Sequence, residues 1–326
     1  MNTANIPPLK FRPILKSAIW GGEKIAPFKG IVTDQKQIGE SWEISGVKGN
    51  ESIVDNGPDK GLTLTEMIKK YGADLVGKKN IERFGTTFPL LIKIIDAAGD
   101  LSLQVHPDDE LAKKRHNSLG KTEMWYIVDT DPGADILCGL SKPLTPEEYE
   151  KIGSDSSLLD YVARHPSHPG DVFFLPAGRI HGIGGGNLLV EVQETSDITY
   201  RIYDYGRLDA KTGKPRQLHV KEAKDAIDYT VYPDYVGNAG PDVDGVSDLV
   251  NCSHFTVYRI AINGEKTFYT ETDDSFTALT CIEGEVTVTD DRGNTISIHK
   301  GESCLVPAMA KTITLKGNAI LIDALN

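Results

Sequence analysis

HPGDVFFLPA at residues 168–177 and HKGESCLVPA at residues 299–308 are two versions of one phrase. Each has a turn built on glycine and an acid, an apolar run of strand length, and a Pro-Ala stop. The spacing holds from Gly170 and Gly301 through Pro176 and Pro307 to Ala177 and Ala308. Carried forward, it sets His181 opposite Thr312. Upstream the match loosens, with residues 123–129 facing 278–286. The phrase predicts an internal repeat of two jelly-roll copies, one keeping metal ligands and one having lost them. The competing reading is turn chemistry that recurs by chance.

Outward from the phrase, the first half offers strands at residues 90–95, 101–106, 124–128, 171–175, 188–192 and 199–203. Residues 233–248 are rich in Pro, Gly and Asp and read as a linker. Strands follow at 255–262, 276–282, 286–289, 295–298, 303–306, 312–315 and 319–322. Short strands at this spacing, separated by turn residues, indicate an antiparallel sandwich or barrel. Residues 1–60 read as a turn-rich β lead-in, with Trp20 and Trp42 packed on the core. Leu64 to Tyr71 has helical spacing behind Thr63 as N-cap. Residues 74–84, 144–165 and 223–229 also read as helical. The expectation is a mainly β chain of two barrels with a few short helices inserted. Residues 1–232 form the first domain, 233–248 the linker and 249–326 the second domain.

A length of 326 residues permits a large core. The net charge of −12 argues against nucleic acid as a partner, because that polyanion is bound by basic patches. It does not exclude a small anion held by a local basic cluster. No stretch approaches the roughly 20 apolar residues of a membrane span. The first residues, MNTANIPPLK, lack the apolar core of a secretory signal. Cys138, Cys252, Cys281 and Cys304 are widely spaced with no CxxC pair, which reads as reduced thiols in a cytoplasmic protein.

LSLQVH at residues 101–106 is the candidate floor of a site. On a strand, Leu101, Leu103 and Val105 point to one face, and Ser102, Gln104 and His106 to the other. Glu123 precedes the next apolar strand, and His181 follows the turn at 176–178. Two imidazoles and a carboxylate are the donors expected around zinc or another divalent first-row metal. The Gln104 amide is a weaker fourth donor. His116 reads as a loop residue, His165 and His168 as turn residues, and His219, His254 and His299 as lacking suitable partners. Lys93, inside the apolar run 90–95, reads as a snorkelling edge residue. Glu191 and Gln193 share a face of their strand. Arg201 is either half of a structural ion pair or a fixed cation for an oxyanion or phosphate.

LIKIIDAAGDLSLQVHPDD, GKTEMWYI, PAGRIHGI and VEVQETSDITYRIYDYGR, in that order, resemble the metal-site motifs of type I mannose-6-phosphate isomerases. IWGG and GESWEIS near the N-terminus are also similar to that family. The resemblance covers most of residues 11–207 and is closest to the short bacterial form. It implies cupin barrels and a zinc ion held by Gln104, His106, Glu123 and His181. It also makes Arg201 the active-site arginine and places Lys93, Ser102, Lys121, Glu191 and Asp197 around the pocket, so Lys93 moves from edge to pocket. The implied reaction interconverts mannose 6-phosphate and fructose 6-phosphate through an enediol. Asp197, Glu191 and Lys121 are then the candidate bases. The implied partner is a sugar phosphate, and the protein a monomer or small homo-oligomer. Two other readings use the same residues. An iron-dependent cupin oxygenase needs only two His and a carboxylate, and a non-catalytic sugar-phosphate-binding protein needs only the pocket.

Overall fold

Apolar and β-branched runs bounded by turn residues make strand the main secondary structure of this chain, and the strands pair antiparallel. The computed structural model describes residues 5–209, 212–240 and 245–326. In the first half, one sheet runs in the order Gly237–Asn238, Asp171–Leu175, Glu123–Thr130, Asn187–Glu194, Leu90–Ala97, then Ile14–Gly22 and Ile38–Ser45. A five-stranded sheet faces it, in the order Tyr200–Tyr203, Leu103–Val105, His181–Ile183, Asp135–Leu140, Val162–Pro166. The C-terminal sheet runs Gly245–Asn251, Thr256–Tyr269, Thr312–Leu325, Thr277–Asp290, Ser303–Val306, and recruits Leu9–Arg12 and Ile53–Val54 from the N-terminus.

The repeat read from the phrase is present in the topology. Asp171–Leu175, Glu123–Thr130, Asn187–Glu194 and Leu90–Ala97 lie side by side, and Ser303–Val306, Thr277–Asp290, Thr312–Leu325 and Thr256–Tyr269 follow the same order. Register refines the upstream alignment. Leu175 pairs with Glu123, and Val306, its counterpart, pairs with Thr277. Thr277, not Ala278, therefore stands where Glu123 stands in the first copy.

The two halves share one core. Leu90, Ile92, Val190 and Val192 pack in the same buried cluster as Phe276, Ala278, Ile322 and Ala324. Trp20 and Trp42 are buried as expected.

Helix Leu64–Tyr71 begins where the sequence places it. Thr63 accepts a hydrogen bond from the Glu66 N–H, and the Glu66 carboxylate accepts one from the Thr63 N–H. Residues 74–84 are two helices, Ala73–Val76 and Lys78–Phe84, broken at Gly77. The expected helix at 144–165 is corrected: Pro146–Ile152 is helical and Ser156–Tyr161 is a 3₁₀ turn, but Val162–Pro166 is a strand on Asp135–Leu140. His116, read as a loop residue, is the last residue of a helix, Asp109–His116, capped by Asp108. Strands Thr277–Asp290 and Thr312–Leu325 each run through what reads as two. Within the stretch read as a linker, Gly237–Asn238 and the start of Gly245–Asn251 are paired in sheets.

Candidate active site

The face alternation of the 101–106 stretch is realised, although only Leu103–Val105 forms ladder hydrogen bonds. Leu103 and Val105 enter the core. On the other face, Ser102 Oγ accepts from Arg201 Nε at 3.3 Å, and Gln104 Nε2 lies 3.3 Å from His181 Nε2. His181 is brought there because its strand pairs directly with Gln104. Glu123 arrives from the facing sheet. The candidate ligand residues thus come from the two sheets of one barrel.

His106, Glu123 and His181 are each at most 1% exposed. Their donor atoms all lie within 4.8 Å of one another. His106 Nε2 and His181 Nε2 are 3.2 Å apart, and Glu123 oxygens lie 3.5 Å and 3.2 Å from them. The other nitrogen of each ring donates to a backbone carbonyl: His106 Nδ1 to Ile198 at 2.8 Å and His181 Nδ1 to Arg179 at 2.7 Å. Those bonds fix the tautomers and turn both Nε2 lone pairs inward. Glu123 Oε1 is buried without a hydrogen-bond partner among the described residues. The Lys121 ammonium reaches only His106 Nε2 and the other Glu123 oxygen, so the His181 lone pair and the orphaned carboxylate oxygen still repel each other, and a cation seated among the three residues relieves this. The residues therefore fit a divalent metal, with the Gln104 amide oxygen available once its amide is turned over.

The electrostatics agree. Burial, reinforced by the Lys121 ammonium, holds the His106 imidazole well below its usual range, so it stays neutral. For Glu123 burial pushes upward, but the adjacent Lys121 ammonium outweighs it and holds the carboxyl well below the usual carboxylate range. Lys121 Nζ lies 3.1 Å from His106 Nε2 and donates to Glu123.

A cavity of about 280 Å³ opens over this centre. Lys93, Ser102, Gln104, Lys121, Glu191, Asp197 and Arg201, all singled out in the sequence, line it. Lys93 Nζ donates to Glu191 at 2.7 Å, and Trp125 Nε1 donates to the other Glu191 oxygen at 2.8 Å. Burial opposes the Lys93 charge, yet Glu191 and Glu40 outweigh it and raise the ammonium's pKa. Lys93 is therefore a buried pocket cation, not an edge residue. Arg201 is anchored by Ser102 and by the Gln217 carbonyl at 3.2 Å.

Lys16, Glu40, Trp42, Thr199 and Arg216 also line the cavity, a role the sequence reading did not give them. Glu40, Trp42 and Thr199 lie within motifs shared with the family, whereas Lys16 and Arg216 come from distant segments with no local signature. With them the lining holds, among the described residues, five Lys or Arg against three acids, a local positive excess in an acidic protein. A larger cleft of about 790 Å³ lies between the halves, but the ligand cluster does not open into it.

His254 is corrected. Its Nδ1 lies 2.9 Å from Glu194 Oε1, and with Asp109 these residues form a second group of potential ligand atoms. His219 Nδ1 lies 3.2 Å from the Arg201 N–H, bracing that strand.

Two family models match the chain: phosphomannose isomerase type I, catalytic domain, over residues 9–129, and mannose-6-phosphate isomerase, cupin domain, over residues 246–326. The chain is 36% identical over 321 residues to mannose-6-phosphate isomerase ManA of Bacillus subtilis, covering 96% of each. It is 31% identical over 317 residues to the mannose-6-phosphate isomerase of Streptococcus mutans, covering 97% of each. Among solved structures, the mannose 6-phosphate isomerase from Bacillus subtilis superposes with a TM-score of 0.87 at 33% identity, covering 98% of this chain and 99% of that one.

Proposed function

The chain belongs to the type I phosphomannose isomerase family, and we propose how its own residues carry out the reaction. It is a metal-dependent isomerase that interconverts mannose 6-phosphate and fructose 6-phosphate. We assign the metal to Gln104, His106, Glu123 and His181. The observation that carries this assignment is the pair of inward Nε2 lone pairs beside the orphaned Glu123 oxygen. Two imidazoles, a carboxylate and an amide suit zinc. A bound divalent ion supplies a Lewis acid that stabilises negative charge on the substrate oxygens.

Isomerisation moves a proton between two adjacent carbons while negative charge develops on oxygen. Of the three candidate bases, Glu191 is tied down by Lys93 and Trp125, and Lys121 is tied to Glu123 and His106. Asp197 lines the cavity, and among the described residues no side-chain hydrogen bond or ion pair holds its carboxylate. We therefore assign the proton transfer to Asp197. Lys93, Lys121 and Arg201 carry positive charge toward the enediolate and the phosphate, with Ser102 holding Arg201 in place. A guanidinium keeps its charge throughout.

The positive lining favours a sugar phosphate over an oxygenase substrate. Among the described residues, no helix is long and apolar enough to cross a membrane. Free thiols at all four cysteines support a cytoplasmic enzyme. We further propose that residues 1–232 form the catalytic domain, lending strands Leu9–Arg12 and Ile53–Val54 to the other sheet, and 249–326 the second barrel, whose first strand starts at Gly245, in a monomer or small homo-oligomer.

The test is a coupled isomerase assay with mannose 6-phosphate. Chelation should abolish turnover and Zn²⁺ should restore it; full activity in a metal-free preparation overturns the ligand assignment. Asp197→Asn should lower kcat by about 10²-fold or more. If Asp197→Asn retains kcat, Asp197 is not the base; a Glu191→Gln variant that is folded by circular dichroism yet inactive would then move the role to Glu191.

A further inference from the structure

The C-terminal barrel has a cavity of its own, and strand register says what it corresponds to. In the first copy, Glu191 pairs with Trp125 on one side and Lys93 on the other. In the second, Asp323 pairs with Leu279 on one side and Tyr258 on the other. Thr277 is the counterpart of Glu123, so Leu279, two residues on, is that of Trp125. Asp323 then stands for Glu191 and Tyr258 for Lys93. Thr277, Leu279, Asp323 and Tyr258 all line one cavity of about 190 Å³, as Lys93, Trp125 and Glu191 line the active-site cavity. Ile313, beside the His181 counterpart Thr312, is in its wall. The second copy has kept the pocket. It has replaced the glutamate and histidine ligands by threonines and the lysine by a tyrosine.

What remains is a carboxyl group without its cation. Asp323 is 8% exposed, and its Oδ1 has no hydrogen-bond partner among the described residues. Glu191, by contrast, has both oxygens bonded. Burying an unpaired polar group costs free energy, and such groups in a cavity call for an explanation. A second carboxylate, Asp273, also lines the cavity, and no Lys, Arg or His does so among the described residues. An anionic sugar phosphate would be repelled here. The other walls include the rings of Phe268 and Tyr269 beside Tyr258. Ring faces attract cations, and aromatic walls accept an apolar body.

We propose that the C-terminal barrel is a second ligand site, which binds a small organic ammonium ion with an apolar body and pairs its nitrogen with Asp323. The cavity is below the roughly 300–1,000 Å³ of drug-sized sites, so the ligand is small. Tyr269, 82% exposed, lies at the mouth.

The probe is benzylammonium chloride, with benzyl alcohol and benzoate as neutral and anionic controls of similar shape. Binding is followed by saturation-transfer NMR on the full, metal-loaded chain at about pH 8, where Asp323 is ionised. Saturating mannose 6-phosphate occupies the active site, so that the signal reports the second cavity. Benzylammonium should bind about tenfold or more tightly than the alcohol, and benzoate should not bind. Asp323→Asn should weaken benzylammonium by about tenfold or more while leaving kcat/KM within about twofold. Tyr269→Ala, at an exposed position, should also weaken it and carries the test if Asp323→Asn fails to fold. Absence of benzylammonium binding, equal binding by wild type and the folded variants, or a preference for benzoate overturns the proposal.

Discussion

Two residues occupy equivalent places in the two barrels and are expected to respond in opposite ways to neutral substitution. Glu191 is satisfied by Lys93 and Trp125. Asp323 has no such support. Burial, with Asp273 nearby, pushes its carboxyl up to about 7; Tyr258 on the adjoining strand supplies no charge to offset this. In the unfolded chain the same carboxyl ionises near its ordinary value of about 3.9. Between those values the folded chain holds a proton that the unfolded chain has released, so folding stability falls as pH rises from about 4 to about 7 and then levels off. Asp323→Asn removes this penalty. Urea unfolding should show similar stabilities near pH 4 and a variant more stable by on the order of 2–4 kcal/mol near pH 8. A pH-independent difference would refute the ionisation. Glu191→Gln should destabilise instead, because it leaves Lys93 buried and unpaired, at a cost of about 3–5 kcal/mol. Arg201 is the third residue whose role is separable. Arg201→Ala should lower kcat by about 10²–10³-fold with the melting temperature little changed, and near-normal turnover would remove it from the mechanism.

Among the elements, helix Lys78–Phe84 is positioned by the C-terminal half. Helix Lys78–Phe84 has no side-chain cap of its own. Asp274 supplies one from 196 residues away, accepting from the Lys78 N–H at 2.8 Å and the Lys79 N–H at 3.2 Å. Gly77, at φ +93°, sits against the Asp274 carbonyl, leaving no room for a Cβ. Asp274→Ala should cost about 1 kcal/mol, and Gly77→Ala more, since it adds backbone strain to overlap. Denaturant titrations of both variants check the order; a neutral Gly77→Ala would show that the close approach is not maintained. Contacts of this kind mark the limit of what the sequence can reveal. Helix Leu64–Tyr71 was legible because Leu64, Met67 and Ile68 share a face behind a complete capping box. Helix Asp109–His116 has only Ala112 buried, so it lacks an apolar stripe. Its signature lies in charge, with acids in the first turn and bases in the last, complementing the helix dipole. Strand Val162–Pro166 was misread because Leu158, Leu159 and Val162 continue a helical spacing, which pairing with Asp135–Leu140 overrides. In the site, alternation alone put Ser102, Gln104 and His106 on one face. Glu123 and His181 were candidates by residue type and position, although only sheet topology brings them to His106; the ligand role of Gln104 and the pocket role of Lys93 needed the family resemblance, and Lys16 and Arg216 carried no local signal at all.

The whole molecule is expected to unfold as one unit, despite its two barrels. The N-terminal strand Leu9–Arg12 is paired with Ser303–Val306 of the second barrel, Leu9 facing Leu305 and Lys10 facing Cys304. On its other edge Phe11 and Arg12 pair with Val54 and Ile53. The largest buried cluster contains residues from both halves. Separating the barrels would expose Phe276, Ala278, Ile322 and Ala324 on one side and Leu90, Ile92 and Val192 on the other. Apolar burial is worth roughly 25 cal/mol per Å², so exposing those faces costs a large part of the about 5–15 kcal/mol that stabilises a typical domain. Neither barrel then has enough stability left to persist alone. Intrinsic fluorescence of the Trp residues, all three in the first half, should report the same urea midpoint as far-UV circular dichroism, which sees both halves. A fragment of residues 246–326 should fail to give a cooperative transition. Two separated midpoints, or a cooperatively folding fragment, would show that the shared core contributes less than its burial implies.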